Sequence, residues 1–307
     1  MEYFKNKIKI IDNSYNLLFK IVFPIKKNFE KIYSNLNETQ LKVLEYYKEN
    51  GAFIINKFLY SKLLTLQFNE LSSLSDIIKN NYIVNLNNIK LLDEIINLYT
   101  SKNKLRVFRG IGNGKHSDIF LNLSKGDTFK FSNFLSCSLN PNVAYNFTVQ
   151  NELQENIKKN KPKILLVMDI PKGMNFFYLT LINYIKNSNN KNKKKTKKKI
   201  LDSEKLSQSE FEIILPRNCN FEITSISTIE ENFFSLDWNT DWNKYEEFLN
   251  TKNNVKKIKV YHLKFLNIEN IPLPDLNEIE IDYKFFKNNK ILSSIFYIPC
   301  NKNYDYY

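Results

Sequence analysis

The chain has 307 residues, 43% of them hydrophobic and 14% aromatic, which excludes a disordered chain and gives enough length for one large domain with extensions or for two smaller ones. Its formal charge is +13, but Lys186 to Lys199 holds eight lysines and leaves +5 elsewhere, so the basic character is mostly one local run. Three cysteines (Cys137, Cys219, Cys300) and two histidines (His116, His262) lie scattered without paired spacing, which argues against a metal site or a disulfide framework.

Residues 1–33 are basic and aromatic with weak periodicity and read as a partly helical N-terminal extension. The apolar stretch Leu17 to Ile25 is short, is interrupted by Lys20 and Pro24, and ends without a small-residue cleavage site, so it lacks a signal-peptide layout. No run approaches the ~18 apolar residues of a membrane span. A soluble protein of a reducing compartment is expected. Asn37 and Gln40 have the spacing of a capping box, Leu41, Leu44 and Tyr47 repeat at helical spacing, and Gly51 stands where that helix should stop. A second helix is predicted over Ala52 to Leu64, and Ile89, Leu92, Ile96 and Tyr99 mark a third. The first hundred residues are mainly α.

After Lys104 the pattern changes. Leu105-Arg106-Val107-Phe108-Arg109-Gly110 alternates like a strand running into a turn. Arg109 ends an otherwise apolar face, as either a snorkelling surface residue or an anion clamp. The glycines at 110, 112 and 114 fail the spacing of a dinucleotide fingerprint, with no clear helix opening after them, and read as a flexible loop. A strand with hydroxyls, Phe134-Leu135-Ser136-Cys137-Ser138, precedes Asn140-Pro141, a cap and first-residue pair for a helix whose buried stripe is Val143, Ala144 and Phe147. Hydroxyls in such a strand ordinarily bond to nearby backbone. Cys137 has no histidine near it in sequence and reads as an inert packed thiol.

Lys163 to Ile170 is a buried strand by composition, closed by Pro171-Lys172-Gly173. The lysine-rich run that follows reads as a solvated, disordered insertion able to attract nucleic acid or another polyanion. Next comes Gln-Ser-Glu-Phe-Glu-Ile-Ile-Leu-Pro-Arg-Asn, residues 208–218. On a strand, Glu210 and Glu212 point the same way, about 7 Å apart, and Phe211, Ile213 and Leu215 point the other way into a core. Two like charges on one face resist burial. Either they do chemistry or the strand is a half-solvated edge with its charges outward. Strands are predicted over Asn220 to Ile226 and Lys256 to Phe265, with a helix around Trp242 to Leu249 between them. The last forty residues, with Pro272, Pro274 and alternating Ile279, Ile281 and Tyr283, form an appended element.

Three separated pieces resemble one family in one order. Arg109 in Val-Phe-Arg-Gly, Ser136 in Phe-Leu-Ser-Cys-Ser, and Glu210/Glu212 in Glu-Phe-Glu-Ile-Ile-Leu-Pro-Arg are similar to the Arg, Ser-Thr-Ser and Glu-x-Glu motifs of mono-ADP-ribosyltransferases of the arginine-serine-glutamate class. Tyr46, Tyr47, Gly51, Ile55 and Asn56 are spaced like the helix that precedes the NAD-binding core in toxin-type and exoenzyme-type members. The resemblance spans roughly residues 34–268. It implies an α+β fold of split antiparallel β-sheets with an N-terminal helical flank, carrying a polylysine insertion at 184–200 and a C-terminal extension at 269–307.

The resemblance also implies chemistry. NAD would be a substrate, with Arg109, Gly110, Ser136, Ser138 and Glu212 in its binding site and no metal. Arg109 would clamp the phosphates as a bidentate donor, and Ser136 would orient the catalytic carboxylate. Glu212 would bond the nicotinamide ribose and stabilise the positive charge that develops as nicotinamide leaves. Glu210 would orient or deprotonate the acceptor, and a Glu at this position goes with arginine acceptors in the family. Cys137 replaces the usual Thr of the serine motif. Expected partners are NAD, an acceptor protein engaged through arginine, and a polyanion against Lys191 to Lys199. The expected location is cytoplasmic or a host cytoplasm. Three other readings stay open: an NAD glycohydrolase in which water replaces the acceptor, a catalytically inactive binding module of the same fold, and, from the carboxylate pair alone, an inverting glycoside hydrolase.

Overall fold

A computed structural model describes residues 15–60, 76–112, 115–149, 163–182, 211–230 and 257–274. Glu210, the lysine-rich insertion, the Trp242 to Leu249 helix and the Ile279 to Tyr283 alternation lie outside the described residues.

Helix α1 (Tyr15–Asn35) is the first described element. Val22, Ile25, Phe29 and Tyr33 recur at intervals of three and four and are all buried, which is one face of a helix. Pro24 sits inside α1 and masks that face in the sequence, where 1–33 read as an extension. The helix instead crosses the boundary suggested at residue 34 and packs into the main core. The Phe29 ring lies 4.7 Å from Tyr99, 5.7 Å from Phe176 and 5.1 Å, edge-on, from Phe177. Phe29→Ala is expected to cost about 3–5 kcal/mol, as for other large-to-small aromatic core substitutions. Urea unfolding checks this, and a loss below about 1 kcal/mol would mean that α1 is an accessory element.

Helix α2 (Glu38–Tyr46) opens with the expected capping box: Asn37 Oδ1 accepts from the Gln40 N–H at 2.9 Å, and Gln40 Oε1 accepts from the Asn37 N–H at 3.1 Å. It does not stop at Gly51. The chain passes through one π-helical turn, Tyr47–Gly51, straight into α3 (Ala52–Tyr60), and the Ala52 N–H donates to the Tyr47 carbonyl. Helix α4 (Asp76–Ile96) packs against α2 and α3.

Eight strands follow among the described residues: β1 (Leu105–Ile111), β2 (Thr128–Phe131), β3 (Leu135–Ser138), β4 (Lys163–Ile170), β5 (Phe177–Tyr178), β6 (Glu212–Leu215), β7 (Cys219–Glu230) and β8 (Lys257–Ile268). They form one sheet in the order β2-β7-β8-β4-β1-β3-β6-β5. Every neighbouring pair is antiparallel except β4 and β8. The fold is α+β with helices on the flank. The division between two sheet halves appears at β1 and β3, which share the single register pair Phe108↔Ser138. Chain order does not predict this adjacency, since β3 pairs with β6 across more than seventy residues of intervening sequence.

One sheet face, with Val107, Ile111, Ile164, Leu166 and Met168, joins the core under the helices. The other face, with Phe108, Leu165 and Val167, is covered by helix α6 (Pro141–Val149). Asn140 caps α6 by accepting from the Asn142 N–H at 3.0 Å, as the Asn-Pro pair predicts. Its buried stripe is Val143, Ala144, Tyr145 and Thr148, and Phe147 is 44% exposed instead of buried. Ala144 and Thr148, one turn apart, face β1 at Gly110, and this directs Phe147 outward. Gly110 and Ile111 belong to β1 and helix α5 (Lys115–Leu121) follows, so Gly110 is strand and not part of the flexible loop read from the glycine spacing, while Gly114 lies outside the described residues.

Candidate active site

Strands β1, β3 and β6 are consecutive in the sheet, and each delivers one polar side chain to the helical side of the β1/β3 junction. Arg109 Nη1 donates to the Ser136 carbonyl at 2.5 Å, and its Nε is buried with no hydrogen-bond partner among the described residues. Such a donor costs about 1–3 kcal/mol while unmatched, which points to a ligand acceptor at this position. The Ser136 hydroxyl lies 3.2 Å from the Tyr47 hydroxyl. Glu212 is held at two points: its N–H donates to Thr180 Oγ1 at 2.7 Å, and its Oε2 accepts from Lys48 Nζ at 2.5 Å. Thr180 itself sits on a 3-10 turn, Leu179–Leu181. That turn is anchored to α1 by the Tyr33 hydroxyl, which donates to the Tyr178 carbonyl at 3.1 Å.

The other sequence candidates fall around this centre. Ser138 faces Glu212 across the β3/β6 ladder, but its buried hydroxyl accepts from the Asn140 N–H at 3.0 Å in the turn into α6. At Gly110 a Cβ would stand 2.0 Å from the Ala144 carbonyl oxygen, so the bare backbone seats α6 on β1. Arg217, in the same motif as Glu212, turns away to pair with Asp93 of α4 at 2.9 Å. Strand β6 begins only at Glu212, because Phe211 has φ 43°. The two-residue alternation that would place Glu210 and Glu212 on one face of a regular strand therefore does not run back through Phe211. Both faces of β6 beyond Glu212 are buried, with Ile213, Ile214 and Leu215 at 0% exposure.

Further residues complete the site. Tyr47 and Asn56 belong to the helical lead-in that the sequence resemblance takes in, whereas Lys48 has no functional signal in the sequence and reads as an ordinary helix-surface cation. An α-helix separates successive side chains by 100°, whereas the wider π turn lets Tyr47 reach Ser136 and Lys48 reach Glu212. Gly51 permits that turn to pack, since a Cβ there would lie 2.5 Å from the Tyr46 ring and 2.8 Å from the Tyr46 carbonyl oxygen. Asn56, one turn further along, also bonds the Tyr47 hydroxyl. Its Oδ1 is buried without a hydrogen-bond partner among the described residues. Beside Arg109, the Tyr60 hydroxyl donates to Asn133 Oδ1 at 2.5 Å, and 42% of Tyr60 is exposed.

Burial dominates the electrostatics. It pushes the Tyr47 hydroxyl up to about 12, against the bond to Ser136, so Tyr47 keeps its proton and can donate it toward the Ser136 oxygen. Burial likewise pushes the Cys137 thiol up to about 12, with the Arg109 charge opposing and the Glu212 charge adding to the effect. A thiol so protonated is no nucleophile at neutral pH, as expected for Cys137. Among the described residues no cluster of histidine, cysteine and carboxylate side chains could hold a metal ion, and no helix is long and apolar enough to cross a membrane.

The sequence model for the ADP-ribosyltransferase exoenzyme family matches residues 25–265. Among solved structures, Plx2a, an ADP-ribosyltransferase toxin from Paenibacillus larvae, is 18% identical and has a TM-score of 0.43, over 79% of this chain and 92% of that one. C3larvin from the same organism is 16% identical with a TM-score of 0.45, over 78% and 94%. The Vis toxin from Vibrio splendidus is 15% identical with a TM-score of 0.47, over 83% and 87%. No curated protein matches the chain by sequence.

Proposed function

The chain belongs to the ADP-ribosyltransferase exoenzyme family, and from that premise we propose that it transfers ADP-ribose from NAD to an arginine side chain of an acceptor protein, releasing nicotinamide. The observation that carries this reading is the meeting of Arg109, Ser136 and Glu212 on three neighbouring strands, with the Arg109 Nε left without a partner among the described residues. A guanidinium held at one nitrogen by the Ser136 carbonyl presents its remaining N–H groups as a planar fork, which suits the NAD pyrophosphate. Ser136, itself bonded to Tyr47, orients the carboxylate of the neighbouring strand. Glu212 accepts from the ribose hydroxyls and opposes the positive charge that develops as the bond from ribose C1′ to the nicotinamide nitrogen breaks. The electron pair of that bond leaves with nicotinamide, whose ring charge it neutralises. A guanidinium nitrogen of the acceptor then bonds C1′ and gives up a proton, the step assigned to Glu210.

The test is incubation with NAD labelled on the adenylate side and an arginine-rich polypeptide, comparing the wild type with Glu212→Ala. Label on the polypeptide, released slowly by neutral hydroxylamine, untouched by mercuric ion and absent with the variant, is the expected result. Nicotinamide release without labelled polypeptide would replace the transferase reading by a glycohydrolase. Equal labelling by both proteins would remove Glu212 from the chemistry.

A further inference from the structure

Lys48 is the one cation that the described structure places on the Glu212 carboxylate, and the π turn that brings Tyr47 to Ser136 also aims it there. Lys48 and Glu212 are each only 17% exposed at the side chain, so their attraction is screened less than that of a surface pair. The carboxylate is tethered through its backbone to Thr180 and through its side chain to Lys48. The first tether leaves the oxygens available to a ligand, and the second occupies one of them.

We propose that Lys48, by competing for the charge of Glu212, sets how tightly the site takes the cationic nicotinamide end of NAD. This rests on the NAD-transferase reading above. Oxidised NAD carries a positive charge on the nicotinamide ring, close to the ribose that Glu212 would bond. An ammonium group on the same carboxylate repels that ring and cancels part of the negative charge drawing it in. Lys48 must move off the contacting oxygen for the ribose hydroxyls to bond there. The site thus takes NAD less tightly than it would with no ammonium on that carboxylate.

The ring charge provides the test. Reduced NADH has the same shape but an uncharged dihydronicotinamide, and ADP-ribose lacks the ring. In equilibrium binding, Lys48→Met and Lys48→Gln should each bind oxidised NAD about tenfold more tightly than the wild type, with NADH and ADP-ribose changed less than twofold. Lys48→Arg should bind all three like the wild type. In nicotinamide-release kinetics, KM for NAD should fall in the Met and Gln variants and kcat should not. Unchanged or weaker NAD binding by both neutral variants would overturn the proposal, as would equal gains for NADH, which would mean that space and not charge was released. A kcat that falls along with KM would also overturn it, by making Lys48 a contributor to the chemistry. A wild type that neither binds nor turns over NAD would overturn this proposal together with the NAD reading. A Glu212-dependent turnover that Lys48 variants leave untouched would overturn this one alone. Paired use of Met and Gln, with thermal melts of each, separates a folding defect in one variant from the binding effect.

Discussion

Glu212→Gln should lower the rate of nicotinamide release by about 10²–10³-fold, with most of the loss in kcat. The substitution keeps the shape and hydrogen-bonding capacity of the side chain but removes its negative charge. The Glu212 N–H to Thr180 bond and the buried residues Ile213 to Leu215 hold the backbone in either case, so the amide should occupy the same place. What disappears is a fixed charge facing a centre that gains positive charge only as the glycosidic bond breaks, which is a loss of transition-state stabilisation. Preset donors and charges of this kind are each worth about 10²–10³ in kcat. The positive charge of Lys48 stays beside the same centre and adds to the effect. Steady-state kinetics with unchanged circular dichroism checks the prediction. A variant within about threefold of the wild-type kcat would assign the charge stabilisation to another group.

Gly110→Ala should destabilise the fold by about 3 kcal/mol or more, at the upper end of overpacking substitutions. The added Cβ would stand 2.0 Å from the Ala144 carbonyl oxygen and 2.9 Å from Thr148 Cγ2. The nearest obstacle is helix backbone, so relief requires moving α6 away from β1. That movement would open the second core of Phe108, Ala144, Tyr145, Leu165 and Val167. It would also shift Arg109, the preceding residue, and its bond to Ser136. A melting temperature lower by roughly 6–12 °C is expected at the usual 2–4 °C per kcal/mol for a domain of this size, together with weaker NAD binding at temperatures where the variant is still folded. A melting point unchanged within 2 °C would show that α6 does not press on β1 as described.

Much of the proposed site was legible in the sequence because the motifs are local. Arg109 precedes the glycine that α6 demands, Ser136 precedes an Asn-Pro helix start, and Glu212 precedes a wholly buried Ile-Ile-Leu run, so each was visible within a few residues. The errors also had local causes. Gly51 looked like a helix stop because glycine usually ends helices, yet here its missing Cβ lets a π turn pack under the Tyr46 ring. Phe147 looked buried because it is apolar, but the small pair Ala144 and Thr148 takes the face toward β1. Residues 1–33 looked appended because Pro24 interrupts a periodicity that survives on the buried face, through Val22, Ile25, Phe29 and Tyr33.

The amino-acid order alone fixes the α-then-β succession, the positions of β1, β3, β4 and β8 within about three residues, and the three motif residues whose resemblance named a family. These depend on spacing of two or of three to four residues and on capping, which act over one turn or one strand. Only the tertiary structure decided that β3 lies between β1 and β6, which puts Arg109, Ser136 and Glu212 in one place. It alone also showed that Tyr47, Lys48 and Thr180 surround them. Strand order and cross-element contacts join residues far apart in the chain, and they are settled by how the two sheet halves and the helices bury their apolar faces against one another. A lysine on a helix has the same local sequence signature whether it faces solvent or a carboxylate, and the widened turn ahead of Gly51 aims this one at Glu212.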